Sequence, residues 1–374
     1  MRLAKSDAAK QWMHAHFPHM ISKLLAIVFL TAALAHAEPP PIARQLPDGT
    51  PNRAVWMAAG RIGVMVHYLP TPVGATRAEQ QASLDRAGDA FDLDGFLRQL
   101  DEAGADWLIL TLTQVNGVLN SANPKLPPDA TMIVPRRDLA FEIAQRRHAA
   151  GKRVILYLPS DNDGGMRRFM GAAEPYTQHY REFVRAYSEK FGRLCDGWWF
   201  DACGPLPDAE WQDWIAACRS GNPDAIVTFS GAEFCTGGDL MPRCRFADYH
   251  AGEIHILDGG RIRRDFLPPG GTFTLTPDGV MQKAGHTPHY YMPDGQFIGN
   301  AQWHALLPID LSFNPAIPAR LCRYSDAELF GFVKAVKSVR GAVTINVPID
   351  LQRGLIPADS HAQLVRLRHF LDAQ

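Results

Sequence analysis

Asp201 closes the apolar run Gly197-Trp198-Trp199-Phe200-Asp201, which breaks directly into Ala202-Cys203-Gly204-Pro205. A short apolar run bounded by glycine and then Gly-Pro is the pattern of a strand covered on both faces, as in a parallel sheet. It delivers one carboxylate to the strand's C-terminal end, where such folds keep their chemistry. The same motif also fits an Asp that only caps a loop or pairs with an arginine.

Other polar side chains fall at or near the ends of apolar runs: His67, Thr113, Gln114, Asn116, Asp161, Asp163, Ser230, Glu233, Glu253 with His255, His304 and Asn346. Tyr68, Tyr157, Trp199 and Trp303 supply aromatic rings among them. Acids, amides, imidazoles and rings together suit a polyhydroxylated ligand, whose hydroxyls need planar hydrogen-bonding groups and whose C–H faces need rings. Glycosidic cleavage requires two carboxyls, one protonated to assist the leaving oxygen and one ionised to attack or to activate water. Asp201 is the natural ionised partner. For the acid, Glu253 in Asp248-Tyr249-His250-Ala251-Gly252-Glu253 ranks above Glu233 in Ser230-Gly231-Ala232-Glu233, although either Glu also reads as a solvated loop charge.

Two rival chemistries remain open. Asp161 and Asp163 alternate before Gly164-Gly165 and suit oxygen coordination of a cation, which would make a metal-assisted hydrolase, but the full twelve-residue calcium loop with its terminal Glu is missing. Ser230 as a hydrolase nucleophile lacks the Gly-x-Ser-x-Gly elbow. His67, ending an apolar run, reads as a satisfied core histidine or a ligand donor.

The elements that must position these groups alternate along the chain. Strand signals lie at Arg61–Tyr68, Asp106–Leu112, Arg153–Leu158, Gly197–Asp201, Ala225–Ser230, Arg245–His250, Gln302–Ile309 and Ala342–Val347. Helical patterns separate them, among them Leu93–Ala103, Asp138–Ala150, Tyr176–Phe191, Asp208–Arg219 and Ser325–Arg340, the last opening on a Ser325/Glu328 capping box. Eight strands with intervening helices predict an α/β fold, a single (β/α)8 TIM-like barrel over residues 38–374 with an irregular Gly- and Pro-rich insertion near 259–299. A doubly wound open sheet is the alternative, but no Gly-x-Gly-x-x-Gly turn follows any strand.

Bulk properties narrow the partners. Charged residues make up 21% and hydrophobic ones 46% of 374, a globular composition, and a net charge of −1 gives no reason to expect nucleic acid or an anionic membrane surface. Lys23, the apolar run Leu24–Leu34 and Ala35-His36-Ala37 form a signal-peptide pattern over residues 1–37, with Met20 as an attractive true start. The run is short for a membrane span, so a secreted or periplasmic, soluble mature chain is expected. Six cysteines, Cys195, Cys203, Cys218, Cys235, Cys244 and Cys322, permit up to three disulfides and show no zinc-finger spacing. No cofactor is expected.

In order along the chain, these segments resemble the family 29 glycoside hydrolases, the α-L-fucosidases. Arg61-Ile62-Gly63-Val64-Met65-Val66-His67-Tyr68 is similar to that family's opening strand, and Ala103-Gly104-Ala105-Asp106-Trp107-Leu108-Ile109-Leu110-Thr111 to its second. Trp199-Phe200-Asp201 resembles the strand that ends in the nucleophile, and Gly341–Pro348 with Gly354-Leu355-Ile356-Pro357 the closing segment. The resemblance implies retaining hydrolysis of an α-L-fucosyl or related linkage, with Asp201 attacking and a Glu, here Glu253, as acid and then base. His67, Tyr68, Gln114, Asn116, Tyr157, Trp199, Glu233, Trp303 and His304 would contact the carbohydrate. One departure stands out: the family's Lys-His-His-Asp-Gly-Phe, whose paired histidines contact fucose hydroxyls, is replaced by Thr113-Gln114-Val115-Asn116-Gly117-Val118. The alternative is a non-catalytic carbohydrate-binding barrel.

Overall fold

A curled, all-parallel sheet carries the molecule. Its strands are β1 (Ile62–Val66), β2 (Ala105–Thr111), β3 (Arg153–Pro159), β4 (Gly197–Asp201), β5 (Ile226–Phe229), β6 (His304–Pro308) and β7 (Ala342–Val347), in the spatial order β6-β7-β1-β2-β3-β4-β5. The computed structural model describes residues 39–374 apart from 115, 128, 162–163, 172–175, 232–241, 255–256, 259–260, 266–272, 276–280, 284–287 and 311–323. The expected signal segment over residues 1–37 therefore lies outside the described residues.

Helices follow the strands: α1 (Val55–Ala59), α2 (Arg77–Ala90), α3 (Leu93–Glu102), α4 (Leu139–Ala149), α5 (Gly164–Met170), α6 (Tyr176–Phe191), α7 (Asp208–Cys218), α8 (Asp326–Ser338) and α9 (Ala358–Asp372). Several begin where side chains cap them. The Thr76/Glu79 and Ser325/Glu328 pairs form reciprocal capping boxes on α2 and α8, and Asp92 and Asp138 accept the Gly95 and Phe141 amides on α3 and α4.

Side-chain alternation sorts the strand residues into two apolar clusters. The larger one, with Leu108, Leu110, Val154, Leu156, Trp198 and Phe200, lies between sheet and helices. The smaller one collects the other parity: Met65, Trp107, Ile109, Ile155, Tyr157, Trp199, Ile226, Tyr249, Ala251, Leu306 and Ala342. It lines the inner face of the curl. Ala54 and Met57 from the start of α1 join it at the N-terminal edge of the strands, where Lys337 donates to the Ala58 and Gly60 carbonyls at 3.0 and 2.7 Å. Gly63 is required there for space, because a Cβ would run into the Trp107 indole.

The expected sixth strand at Arg245–His250 is displaced toward the C-terminus. Instead, residues 248–254 lie between the two edge strands of the sheet: isolated parallel bridges join Tyr249 to Gln302, just before β6, and Glu253 to Leu306 on it, and hydrogen bonds reach β5. On one side the Asp248 N–H donates to Val227 O at 2.9 Å and Thr228 Oγ1 to Tyr249 O at 2.6 Å. On the other, His250 N–H donates to Gln302 O, Leu306 N–H to Gly252 O and Ile254 N–H to Leu306 O, at 2.7–2.9 Å. The shift has two causes. Asp248 is pinned by Arg219 at 2.6 Å and by the Val227 amide at 2.8 Å, and Gly252 bends the chain in the left-handed region at φ 73°. A Cβ at Gly252 would collide with the His304 carbonyl oxygen, so only glycine allows this approach.

Short antiparallel pieces occupy the expected insertion: Leu257–Asp258, Arg261–Asp265 and Pro288–Tyr291 pair together, and Phe273–Leu275 pairs with Met281–Lys283. Among the described residues Cys195, Cys203, Cys218 and Cys244 are buried and free, so no disulfide joins these four, and Cys235 and Cys322 lie outside the described residues.

Candidate active site

Every strand of the sheet is parallel, so their C-terminal ends share one edge. Asp201 ends β4 two residues after Trp199 and therefore points to the inner face, where it is half-buried. Tyr157, inward on β3 and buried, donates its hydroxyl to Asp201 Oδ2 at 2.5 Å. Its ring stacks on Trp199 (centroids 5.2 Å apart, 14° between planes) and meets His67 edge-on at 5.3 Å. Two buried rings thus fix the tyrosine, and the tyrosine fixes the carboxylate.

The chain leaves Asp201 through a strained step. Ala202 has φ 54°, a left-handed conformation costly for a residue with a Cβ. The Ser160 amide holds Asp201 O at 2.7 Å and the Ser160 hydroxyl holds Ala202 O at 2.9 Å. On the β5 side, Ser230 N–H donates to Phe200 O and Cys203 N–H to Ser230 O, each at 2.7 Å. These bonds keep the turn in place around the carboxylate. Burial, then the Asp201 and Asp161 carboxylates, push the Cys203 thiol well above its ordinary range, so it stays protonated beside them.

Glu253 lies on the linking segment with the inward parity of Tyr249 and Ala251, half-buried, and receives the Ser230 hydroxyl at 2.6 Å on Oε2. The second carboxylate therefore reaches the same edge as Asp201, two strand positions away. His67 follows β1 and is buried; burial pushes its pKa down to about 4 and keeps it neutral at ordinary pH. Thr111 Oγ1 lies 3.4 Å from its Nδ1 and donates to Val66 O at 3.0 Å; Asn346 Nδ2 lies 3.5 Å from its Nε2.

The remaining candidates separate. Gln114 and Asn116 sit half-buried in the loop after β2, with Asn116 Nδ2 donating to Pro70 O at 3.2 Å. Trp199 lies beneath Tyr157 and supports it. Tyr68, one residue past His67, has the opposite parity: it packs edge-on against Phe91 at 5.0 Å and donates to Ala87 O at 3.3 Å, on the helix side of the sheet. His304 and Trp303 are at the other end, because β6 begins at His304 instead of ending there. Trp303 packs outward in the larger cluster, and His304 Nδ1 donates to His250 O at 3.0 Å while Nε2 accepts from Thr344 Oγ1 at 2.7 Å. The structure brings none of these three to Asp201.

Asp161 is buried and paired with buried Arg181 at 3.1 Å, whose guanidinium lies 3.9 Å over the Trp214 ring. Asp163, Glu233 and His255 lie outside the described residues. Sequence reading passed over two residues at this edge. Asn120 Nδ2 ties Tyr68 O (2.6 Å) to Thr111 O (3.0 Å), and Asp310, two residues past β6, is buried with the same parity as Leu306. The alternation Leu306, Pro308, Asp310 was the signal for the second.

The family model described as endo-alpha(1,4)-fucoidanase Mef1 matches residues 105–239. That stretch contains β2 to β5 and Asp201. No curated protein matches the chain. Among solved structures, the endo-fucoidan hydrolase P5AFcnA of glycoside hydrolase family 107 aligns with a TM-score of 0.57 at 18% identity, over 85% of this chain and 92% of that one. A second family 107 endo-fucoidan hydrolase, MfFcnA4, aligns at 0.55 and 17%, over 85% of this chain but only 53% of its own length. The α-L-fucosidase isoenzyme 1 from Paenibacillus thiaminolyticus aligns at 0.56 and 14%, over 86% and 76%. The fold is thus that of the fucosidase-like glycoside hydrolases, and the matches support a glycosidase. They extend beyond family 29, since family 107 structures stand beside the α-L-fucosidases.

Proposed function

We propose that the sheet and its linking segment form a (β/α)8 catalytic barrel that hydrolyses α-L-fucosyl linkages with retention, Asp201 attacking the anomeric carbon. The observation that carries this reading is the Tyr157 hydroxyl on Asp201 Oδ2 at the C-terminal end of β4, with Glu253 on the same inner edge. Tyr157 orients the carboxylate and stabilises its ionised form. Glu253 protonates the leaving oxygen, then removes a proton from the water that releases the enzyme-bound sugar. Two strand spacings of about 4.8 Å place the two backbones roughly 10 Å apart. Both side chains reach inward from there, toward the separation of about 5–5.5 Å that retention uses.

Within this reading the substrate is a polymer cut internally. Gln114 and Asn116 stand where the family 29 pattern has its fucose-reading histidines, and the fucoidanase model matches the nucleophile's part of the chain. The test is a panel: aryl α-L-fucoside, aryl α-L-galactoside and an α-linked fucan, with the product anomer followed by NMR. Release of fucan oligosaccharides with retained α configuration is the expected result. Inverted product, or no turnover on any member, would overturn the mechanism.

A further inference from the structure

We propose that Ser230 is the positioning residue that sets Glu253 against Asp201. The inference rests on the two-carboxylate reading above and adds a part that neither the motif nor the comparisons assign. Ser230 stands between the two acids in every sense the bonding allows. Its backbone brackets Asp201: its N–H goes to Phe200 O, the residue before, and its carbonyl takes the Cys203 N–H, two residues after. Its side chain does the opposite task, donating to Glu253 Oε2 at 2.6 Å. One fully buried residue at the end of β5 therefore ties the nucleophile's turn to the acid's carboxyl.

The linking segment needs such a tie. Residues 248–254 meet β6 through isolated bridges, and the backbone at Gly252 is bent in the left-handed region immediately before Glu253. Rotation about the Glu253 side chain would swing its carboxyl away from the inner edge. The Ser230 hydroxyl selects one rotamer and holds the carboxyl beside β5, next to β4. A hydroxyl also suits the task because it serves both protonation states: it donates to the ionised carboxylate, and its oxygen accepts from the protonated acid after rotation. The charged groups that act on Cys203, whose amide Ser230 holds, are Asp201, Asp161, Arg181 and Arg243, the last with its side chain against Gly231. None of these moves with a Ser230 substitution that keeps volume.

The experiment compares Ser230→Ala, Ser230→Thr and Glu253→Gln in the full chain, with thermal midpoints recorded for each. Ser230→Ala is expected to lower kcat about 10- to 100-fold at little change in KM, the range for losing a hydrogen bond to a charged group. The basic limb of its kcat/KM profile should move to higher pH, since removing a donor to the ionised form makes Glu253 harder to deprotonate. Ser230→Thr, which retains the hydroxyl, should recover most of kcat and return the limb. An unchanged kcat and unchanged basic limb in Ser230→Ala, with Glu253→Gln inactive, would overturn the role of Ser230 alone. A fully active Glu253→Gln would overturn the acid/base assignment and this inference with it. If Ser230→Ala fails to fold, a Thr variant with wild-type kcat and limb supports the tie, and one that folds but stays as slow as Glu253→Gln rejects it.

Discussion

The two ends of the sheet's inner face are built from the same residue types and behave differently. At the N-terminal edge, Trp107 Nε1 donates to Thr344 Oγ1 at 2.8 Å, Thr344 bonds His304 and His304 bonds the His250 carbonyl. Rings, hydroxyl and imidazole satisfy one another and are fully buried. At the C-terminal edge, His67 meets Tyr157 edge-on, and the Tyr157 and Ser230 hydroxyls are given separately to Asp201 and Glu253, both half-buried. A histidine on the inner face is thus no marker of function by itself. What distinguishes the C-terminal edge is a carboxylate held by a buried donor while still reaching solvent.

That contrast breaks most sharply at Asp201. Asp201→Ala should lower kcat by roughly 10⁴-fold or more, the scale seen when a covalent nucleophile is removed, with the thermal midpoint close to that of the parent. Turnover within tenfold of the parent would remove the distinction between the two ends. Tyr157→Phe comes next: loss of its hydroxyl from the carboxylate should cost about 10- to 100-fold in kcat, because a hydrogen bond to a charged group is the stronger kind. Its rings stay stacked, so stability should move little.

The opposite edge should respond in the opposite currency. His304→Ala removes the acceptor of the Thr344 hydroxyl and the imidazole donor to the His250 carbonyl and opens a cavity, a loss of about 2–4 kcal/mol measured by chemical denaturation. Its kcat on folded protein should stay within about twofold. A large kcat loss at parental stability would move His304 into the site. The buried imidazoles also make a pH statement that sharpens the comparison. His67 and His304 both fall from 6.5 to about 4 through burial. The unfolded chain takes up a proton near 6.5 and the folded chain does not until about 4. Stability is therefore complete above pH 6.5 and declines as pH falls toward 4, by about 3 kcal/mol per histidine. Denaturation midpoints at pH 7 and 4.5 read the sum of this effect and the opposing one from Asp196 and Asp248, whose pKa values burial raises, and His304→Ala should weaken the acid-side loss.

Much of this was legible in the chain. The apolar runs at Val154–Leu158 and Trp198–Phe200 are covered on both faces, and local pattern alone is enough to place such strands and the polar residue that ends them. The Ser325/Glu328 box is likewise a local signal, and α8 begins there. Parity was harder. Tyr68 beside His67 and Trp303 beside His304 show that neighbouring residues on a strand go to opposite faces, and type alone does not say which. The linking segment was hardest, because its position depends on Arg219 pinning Asp248 and on Gly252 approaching His304, contacts between residues far apart in sequence. Those contacts, and not the hydrophobic pattern, decide where Glu253 arrives.

The linking segment has a consequence in time as well as in space. Sheet strands β1 to β5 pair with neighbours across one or two helices, whereas 248–254 must also meet Gln302 and Leu306, some fifty residues further on, across the antiparallel insertion. Contacts of that kind form after local ones, because the loop they close must first lose its freedom. The pairing of β1 with β7 closes a much longer loop still, so the inner edge that holds Asp201 and Glu253 depends on contacts from both halves of the chain. On the proposed two-carboxylate reading, any opening of residues 248–254 from the sheet would part Glu253 from Asp201 and leave the strand that carries Asp201 intact.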